Sequence, residues 1–157
     1  MTTWDMFEAA EPELAKTGRR LLERRGSGEA LLASVRGEGL PRINPIDVAI
    51  VDGHLVAYVI VGSAKLATLE ADGRYALHAH VDPAAPSEFL VRGRAHAVTD
   101  AALESAAASS WSFEVDDGYR LFEFEIEQVV HGERADADAW PPRYTSWRPP
   151  SKESTHG

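Results

Sequence analysis

The chain has 157 residues, 44% of them hydrophobic, no cysteine and a formal net charge of -9. That length and composition fit one soluble domain with a core of its own, and the lack of cysteine excludes disulfides, thiolate metal sites and cysteine nucleophiles. The acidic balance argues against nucleic-acid or anionic-membrane surfaces, no apolar run approaches membrane-spanning length, and no basic-then-apolar leader precedes Trp4, Asp5 and Glu8, so a cytoplasmic protein is expected.

After a short aromatic lead-in, Pro12 can open a helix over residues 12 to 25. Leu14, Leu21 and Leu22 share one face of it, arginines load its C-terminal half (Arg19, Arg20, Arg24, Arg25), and Gly26 can end it. Glu29 to Arg36 reads as a strand, Gly37-Glu38-Gly39 as a turn, and Arg42 to Val51 as a second strand interrupted near Pro45. Asp52-Gly53 suits the positive φ values of a type I′ turn, so His54 to Val61 should return as a third strand. A short helix follows from Ala64 to about Ala71.

Arg74 to Val81 is a fourth strand, and a loop bearing Pro83 and Pro86 separates it from a long fifth one, Glu88 to Val98. Thr99-Asp100 caps an Ala-rich helix from Ala101 to about Ser109. Asp116-Asp117-Gly118 then turns the chain into a last strand, Tyr119 to Val130, whose buried face carries Phe122, Phe124, Ile126 and Val130. Six strands with short helices between them, and no regular βαβ alternation, predict a mainly β fold, an antiparallel barrel rather than a doubly wound sheet. From Ala135 the Pro- and aromatic-rich end should run extended over a surface, with residues 1–148 forming the domain and 149–157 a flexible tail.

The stretch Val59-Ile60-Val61-Gly62-Ser63-Ala64-Lys65-Leu66 joins an apolar β-branched run, a glycine break and a helix start. Backbone N–H groups at such a start favour an anion, and Lys65 adds a full positive charge beside them. Ser63 either caps the helix or binds phosphate oxygen.

Several strings, in order, resemble the FMN-binding split-barrel family typified by pyridoxamine 5′-phosphate oxidase. They are Ala30 to Arg36, Pro41-Arg42-Ile43-Asn44-Pro45-Ile46, Gly62-Ser63-Ala64-Lys65, Asp72 to His78, Glu88 to Ala95, and Phe122-Glu123-Phe124. The resemblance implies a six-stranded antiparallel split barrel that pairs as a homodimer, with two flavin sites at the interface completed by the partner chain. It puts Lys65, Ser63 and Arg42 near the FMN phosphate, and Asn44, Pro45, Ile46 and Val59 to Val61 along the isoalloxazine edge. Ala64 stands where the family's oxidases often carry a basic residue, and their substrate-phosphate cluster has no counterpart, which points away from pyridoxamine phosphate as substrate. A deazaflavin coenzyme is the alternative to FMN, its longer acidic tail calling on Arg36 or Arg74.

Flavin chemistry asks the protein for binding and orientation, and the sequence accordingly lacks a nucleophile elbow, a dinucleotide fingerprint and a Walker loop. Three readings follow: an FMN-dependent oxidoreductase of a small molecule, a deazaflavin-dependent reductase, or a flavin or haem carrier without turnover. His78 and His80 share one strand face and could ligate one metal, with Glu88 and His96 nearby, although a half-exposed strand face or flavin-site lining explains them better. Arg92, Arg94 and His96 face Glu123, Glu125 and Glu127 as cross-strand partners, unless Arg94 turns to the cofactor. Trp111, Trp140 and Trp147 could stack on a flavin, close a pocket or fill a core or dimer seam.

Overall fold

The structure, a computed structural model, describes residues 1–23 and 28–151. Two helices lead in, α1 (Trp4–Ala10) and α2 (Pro12–Leu22). The first gives no helical signal in the sequence, where it stands only as an aromatic lead-in, because seven residues are too few to show a helical period. Its Trp4 and Phe7 are fully buried, Trp4 against Phe89 and Phe7 against Trp147. The second stops at Leu22, short of the expected residue 25; Arg24, Arg25 and Gly26 lie outside the described residues.

The strands β1 (Gly28–Arg36), β2 (Leu40–Val51) and β3 (His54–Ile60) follow as a meander, with Asp52 (φ 47°) and Gly53 (φ 78°) forming the tight turn between the last two. After α3 (Ala64–Ala71) come β4 (Arg74–Ala79), β5 (Ser87–Ala97), α4 (Ala101–Ser110) and β6 (Tyr119–Glu133). β3 ends one residue and β4 two residues before the expected limits, while β6 runs on to Glu133. A strand not foreseen, β7 (Arg143–Trp147), replaces the expected extended tail. It pairs with the far end of β6, which supplies the backbone partners that its Pro-rich surroundings conceal in sequence.

The order is β3-β2-β1-β4-β5-β6-β7, every pairing is antiparallel, and β3 also pairs with β6, so six strands close a ring and β7 flanks it. The ring is split. β2 meets β3 only over Ala49–Val51, while its longer half, from Leu40 to Val48, pairs with β1. That explains why Pro45 does not interrupt β2: on a stretch with a single strand neighbour, the missing N–H leaves no partner on the open side unsatisfied. Burial alternates along β1, with Ala30, Leu32 and Ser34 inside and Leu31, Ala33 and Val35 outside. Phe89, Phe122, Phe124, Leu55, Leu77 and Ile126 fill the barrel, and α4 covers a smaller cluster of Val51, Val56, Leu103, Ala107 and Leu121. Val130, expected inside, is only partly buried, because the inner face of β6 shifts to Val129 beyond the irregularity opposite Arg92 and Gly93. Among the described residues no helix is long and apolar enough to cross a membrane.

Candidate functional site

The place where β2 and β3 part is a cleft of about 390 Å³. Pro45, Ile46 and Asp47 of β2 form one wall, and Tyr58, Val59 and Ile60 of β3 another. Ser63 and Lys65, at the start of α3, close one end, and Trp111, Phe113 and Tyr119 form the remaining wall. Gly62 makes the corner between strand and helix with φ 83°, a backbone region costly for any residue with a Cβ.

Lys65 lies half-buried and its ammonium donates to the Pro45 carbonyl at 3.1 Å. Burial pushes its pKa below the ordinary lysine value of 10.5, and the charge of Asp47 opposes that shift. The Ser63 hydroxyl accepts the backbone N–H of Leu66 at 3.1 Å, so the helix cap is realised. Its own O–H remains a donor for an oxygen in the cleft.

Four aromatic rings line the same cleft as Lys65. Tyr58 meets Trp111 nearly at right angles at 4.9 Å, and Phe113 lies tilted over Tyr119 at 4.8 Å. Burial, followed by the charge of Glu104, raises the Tyr58 pKa, so this phenol is a neutral hydrogen-bonding group. A second chamber of about 450 Å³, bordered by Val48 to Val51 and by Ser110 to Phe113, adjoins the cleft and shares Asp47, Trp111 and Phe113 with it.

Five of the sequence-derived candidates therefore meet: Pro45, Ile46, Val59, Ser63 and Lys65. The other five do not line the cleft. Arg42 and Asn44 sit half-buried on the same face of β2 as Ile46, farther toward its start. Val61 has passed the end of β3 and borders a different hollow, beneath α4. Arg94 points outward with Glu127 at 3.8 Å, because the neighbouring Gly93 and Ala95 take the inward positions of β5. Trp140 is 77% exposed in the β6–β7 loop, 6.0 Å from the Arg134 guanidinium.

Asp47, Tyr58, Phe113 and Tyr119 also line the cleft and are not among the sequence-derived candidates. Their signal was the outward alternation of Pro45 and Asp47 on β2 and the aromatic spacing across residues 111 to 119. The charged stripes pair across strands, His96 with Glu125 and Arg94 with Glu127, and His54 joins them by bonding Glu123. His78 Nδ1 lies 2.6 Å from the Ala79 carbonyl, and no group of three metal-ligating side chains occurs among the described residues.

Residues 19–131 match the family model for pyridoxamine 5′-phosphate oxidase. The chain belongs to this family. Similar solved structures include a heme binding protein from Mycobacterium smegmatis, with a TM-score of 0.64 and 16% identity over 83% of this chain and 57% of that one. This chain thus spans little more than half of the mycobacterial protein's length. A putative pyridoxamine 5′-phosphate oxidase from Listeria innocua follows at a TM-score of 0.61 and 17% identity, covering 74% of this chain and 96% of that one. A nimc/nima family protein from Clostridium acetobutylicum has a TM-score of 0.61 and 14% identity, covering 84% and 92% respectively. At these identities the likeness concerns the fold. No curated protein matches the sequence.

Proposed function

We propose that this protein is a flavin-dependent oxidoreductase that binds FMN in the cleft between β2 and β3 and acts on a small molecule in the adjoining chamber, as a homodimer. The observation that carries the reading is the convergence of Lys65, Ser63 and the α3 start on a cleft whose other lining residues, Asp47 apart, are aromatic and apolar. An anionic tail suits the first group and a flat ring system suits the second. The volume falls in the range of small-molecule sites, roughly 300–1,000 Å³.

Bound there, a flavin would supply reversible hydride acceptance, chemistry that belongs to its ring. The chain's part is to hold and screen it. Lys65 would offer charge to the phosphate, Ser63 its hydroxyl proton, and Pro45–Asp47 and Tyr58–Ile60, which line the cleft, would hold the ring. Trp111 and Phe113 shield the cleft and face the chamber. FMN is favoured over the deazaflavin coenzyme because Lys65 is the single cation lining the cleft among the described residues, while Arg74 is engaged by Asp72. The haem named for the mycobacterial neighbour is a weaker match, since among the described residues no histidine, methionine or cysteine lines the cleft, which leaves only the phenols of Tyr58 and Tyr119, the former held neutral by its raised pKa, as side-chain iron ligands.

The pairing rests on an apolar outer face. Leu31, Leu40 and Ile43 are exposed on β1 and β2, Ile43 at 69%, and register sets Ala33 opposite Ile43 and Leu31 opposite Pro45. A second copy is the occupant proposed for it, at the flank of the cleft that Pro45 borders.

The test is addition of FMN to purified protein. A red-shifted flavin band and quenched flavin fluorescence are expected, with haem titration as the control. No spectral change with FMN, or a Soret band that outcompetes it, would overturn the reading.

A further inference from the structure

The cleft holds one positive and one negative side chain among its described lining residues, Lys65 and Asp47. They are not independent. Lys65 donates to the carbonyl of Pro45, two residues before Asp47, and strand alternation puts Pro45 and Asp47 on the same exposed face of β2. The lysine therefore reaches across the split to the edge that carries the carboxylate. Asp47 also borders the neighbouring chamber, so it stands at the junction of the two cavities.

We propose that Asp47 is a specificity-determining residue that sets how much negative charge the cleft accepts, making the phosphate-bearing coenzyme an exchangeable ligand rather than a permanently held group. The inference rests on the flavin reading above and deepens it. A phosphomonoester near neutral pH carries close to two negative charges. Entering this cleft it meets a lysine already engaged by β2 and a carboxylate that repels it. The helix start and the Ser63 hydroxyl still attract it, so the site binds phosphate, weakly. A cleft with Lys65 alone would bind it more tightly.

Riboflavin, which has the same ring system and no phosphate, isolates the effect. In the wild-type protein FMN should bind only a few-fold more tightly than riboflavin. The change Asp47→Asn, nearly isosteric on an exposed strand position, should tighten FMN about three- to tenfold, the scale of one partly solvated charge, and leave riboflavin within about twofold. Lys65→Met should bring the two ligands to parity. Salt gives a second readout that a structural role would not move: FMN affinity should depend weakly on ionic strength in the wild type and more steeply in D47N.

Flavin fluorescence quenching measures every arm. If both flavins bind and D47N leaves FMN affinity unchanged or weaker, the role of Asp47 is overturned and the flavin reading stands. If neither flavin binds the wild-type protein, the flavin reading fails and this inference falls with it.

Discussion

Lys65 keeps its charge in a setting that works against it. Burial lowers its pKa below 10.5, so it loses its proton at a lower pH than an exposed lysine would. The protonated form is the one that attracts phosphate. FMN affinity should therefore decline with rising pH through that depressed pKa, and Lys65→Ala should abolish the decline. At neutral pH the same substitution should weaken FMN binding only a few-fold, about 0.5–1 kcal/mol, because the lysine is already shared with the Pro45 carbonyl and offset by Asp47; fluorescence titrations from neutral pH through the alkaline range read both effects. Tyr75 shows the opposite sign for an acid. It is buried, its hydroxyl donates to the Glu125 carbonyl at 2.8 Å, and burial holds its pKa well above 10. Below the ordinary tyrosine value of 10 both folded and unfolded chains keep this proton, and pH has no leverage through it. Above it the unfolded chain ionises while the folded one does not, so stability falls as pH rises. Tyr75→Phe should cost about 0.5–1.5 kcal/mol at neutral pH through the lost hydrogen bond, and should lose less on going to alkaline pH than the wild type does. Urea unfolding at the two pH values checks both signs.

At the scale of elements, α1 and β7 hold each other. Phe7 of α1 lies 5.2 Å from the ring of Trp147 in β7, and Trp4 lies 6.3 Å from Phe89 in β5, so a seven-residue helix ties two strands together. Trp4→Ala should destabilise the fold by about 3–5 kcal/mol, measured by denaturant unfolding, because the ring is completely buried. Neither element was legible in sequence, for one physical reason: each is too short for a period to show, and each is stable only through tertiary packing. What was legible had local causes. Asp52-Gly53 fixed a turn by its φ requirement, and Ser63 and Asp100 capped the helices they precede. The site divides the same way. The strand-to-helix corner with Ser63 and Lys65 is a local string and could be read. The aromatic wall joins Tyr58 to Tyr119, which the β3–β6 pairing brings near, and to Trp111, which follows α4; both are long-range partners that no local string shows. Pro45 signals an interruption only for a strand with partners on both sides, whereas the split leaves that stretch of β2 with one strand partner.

For the whole molecule, the split and the exposed apolar face are one feature seen from two sides. Closing the ring at β3–β6 rather than along the full length of β2 frees the edge of β2 at Pro45, and the same half of β2 carries Leu40 and Ile43 toward solvent. A chain with a net charge of -9 resists nonspecific association, so an apolar face on it calls for a specific partner. The occupant proposed here, a second copy, would cover β1 and β2 outside the barrel and border the cleft from the side that Pro45 leaves open. Pairing and flavin binding should then be coupled. Ile43→Asp places a charge in the middle of the face, at a position 69% exposed in the single chain, so the fold itself should tolerate it. Light scattering with size-exclusion chromatography should find a dimer for the wild type and a monomer for this variant. Flavin affinity should fall at least tenfold although Ile43 is absent from the cleft lining. A monomeric variant that binds FMN as tightly as the wild type would separate the two properties and confine the site to one chain.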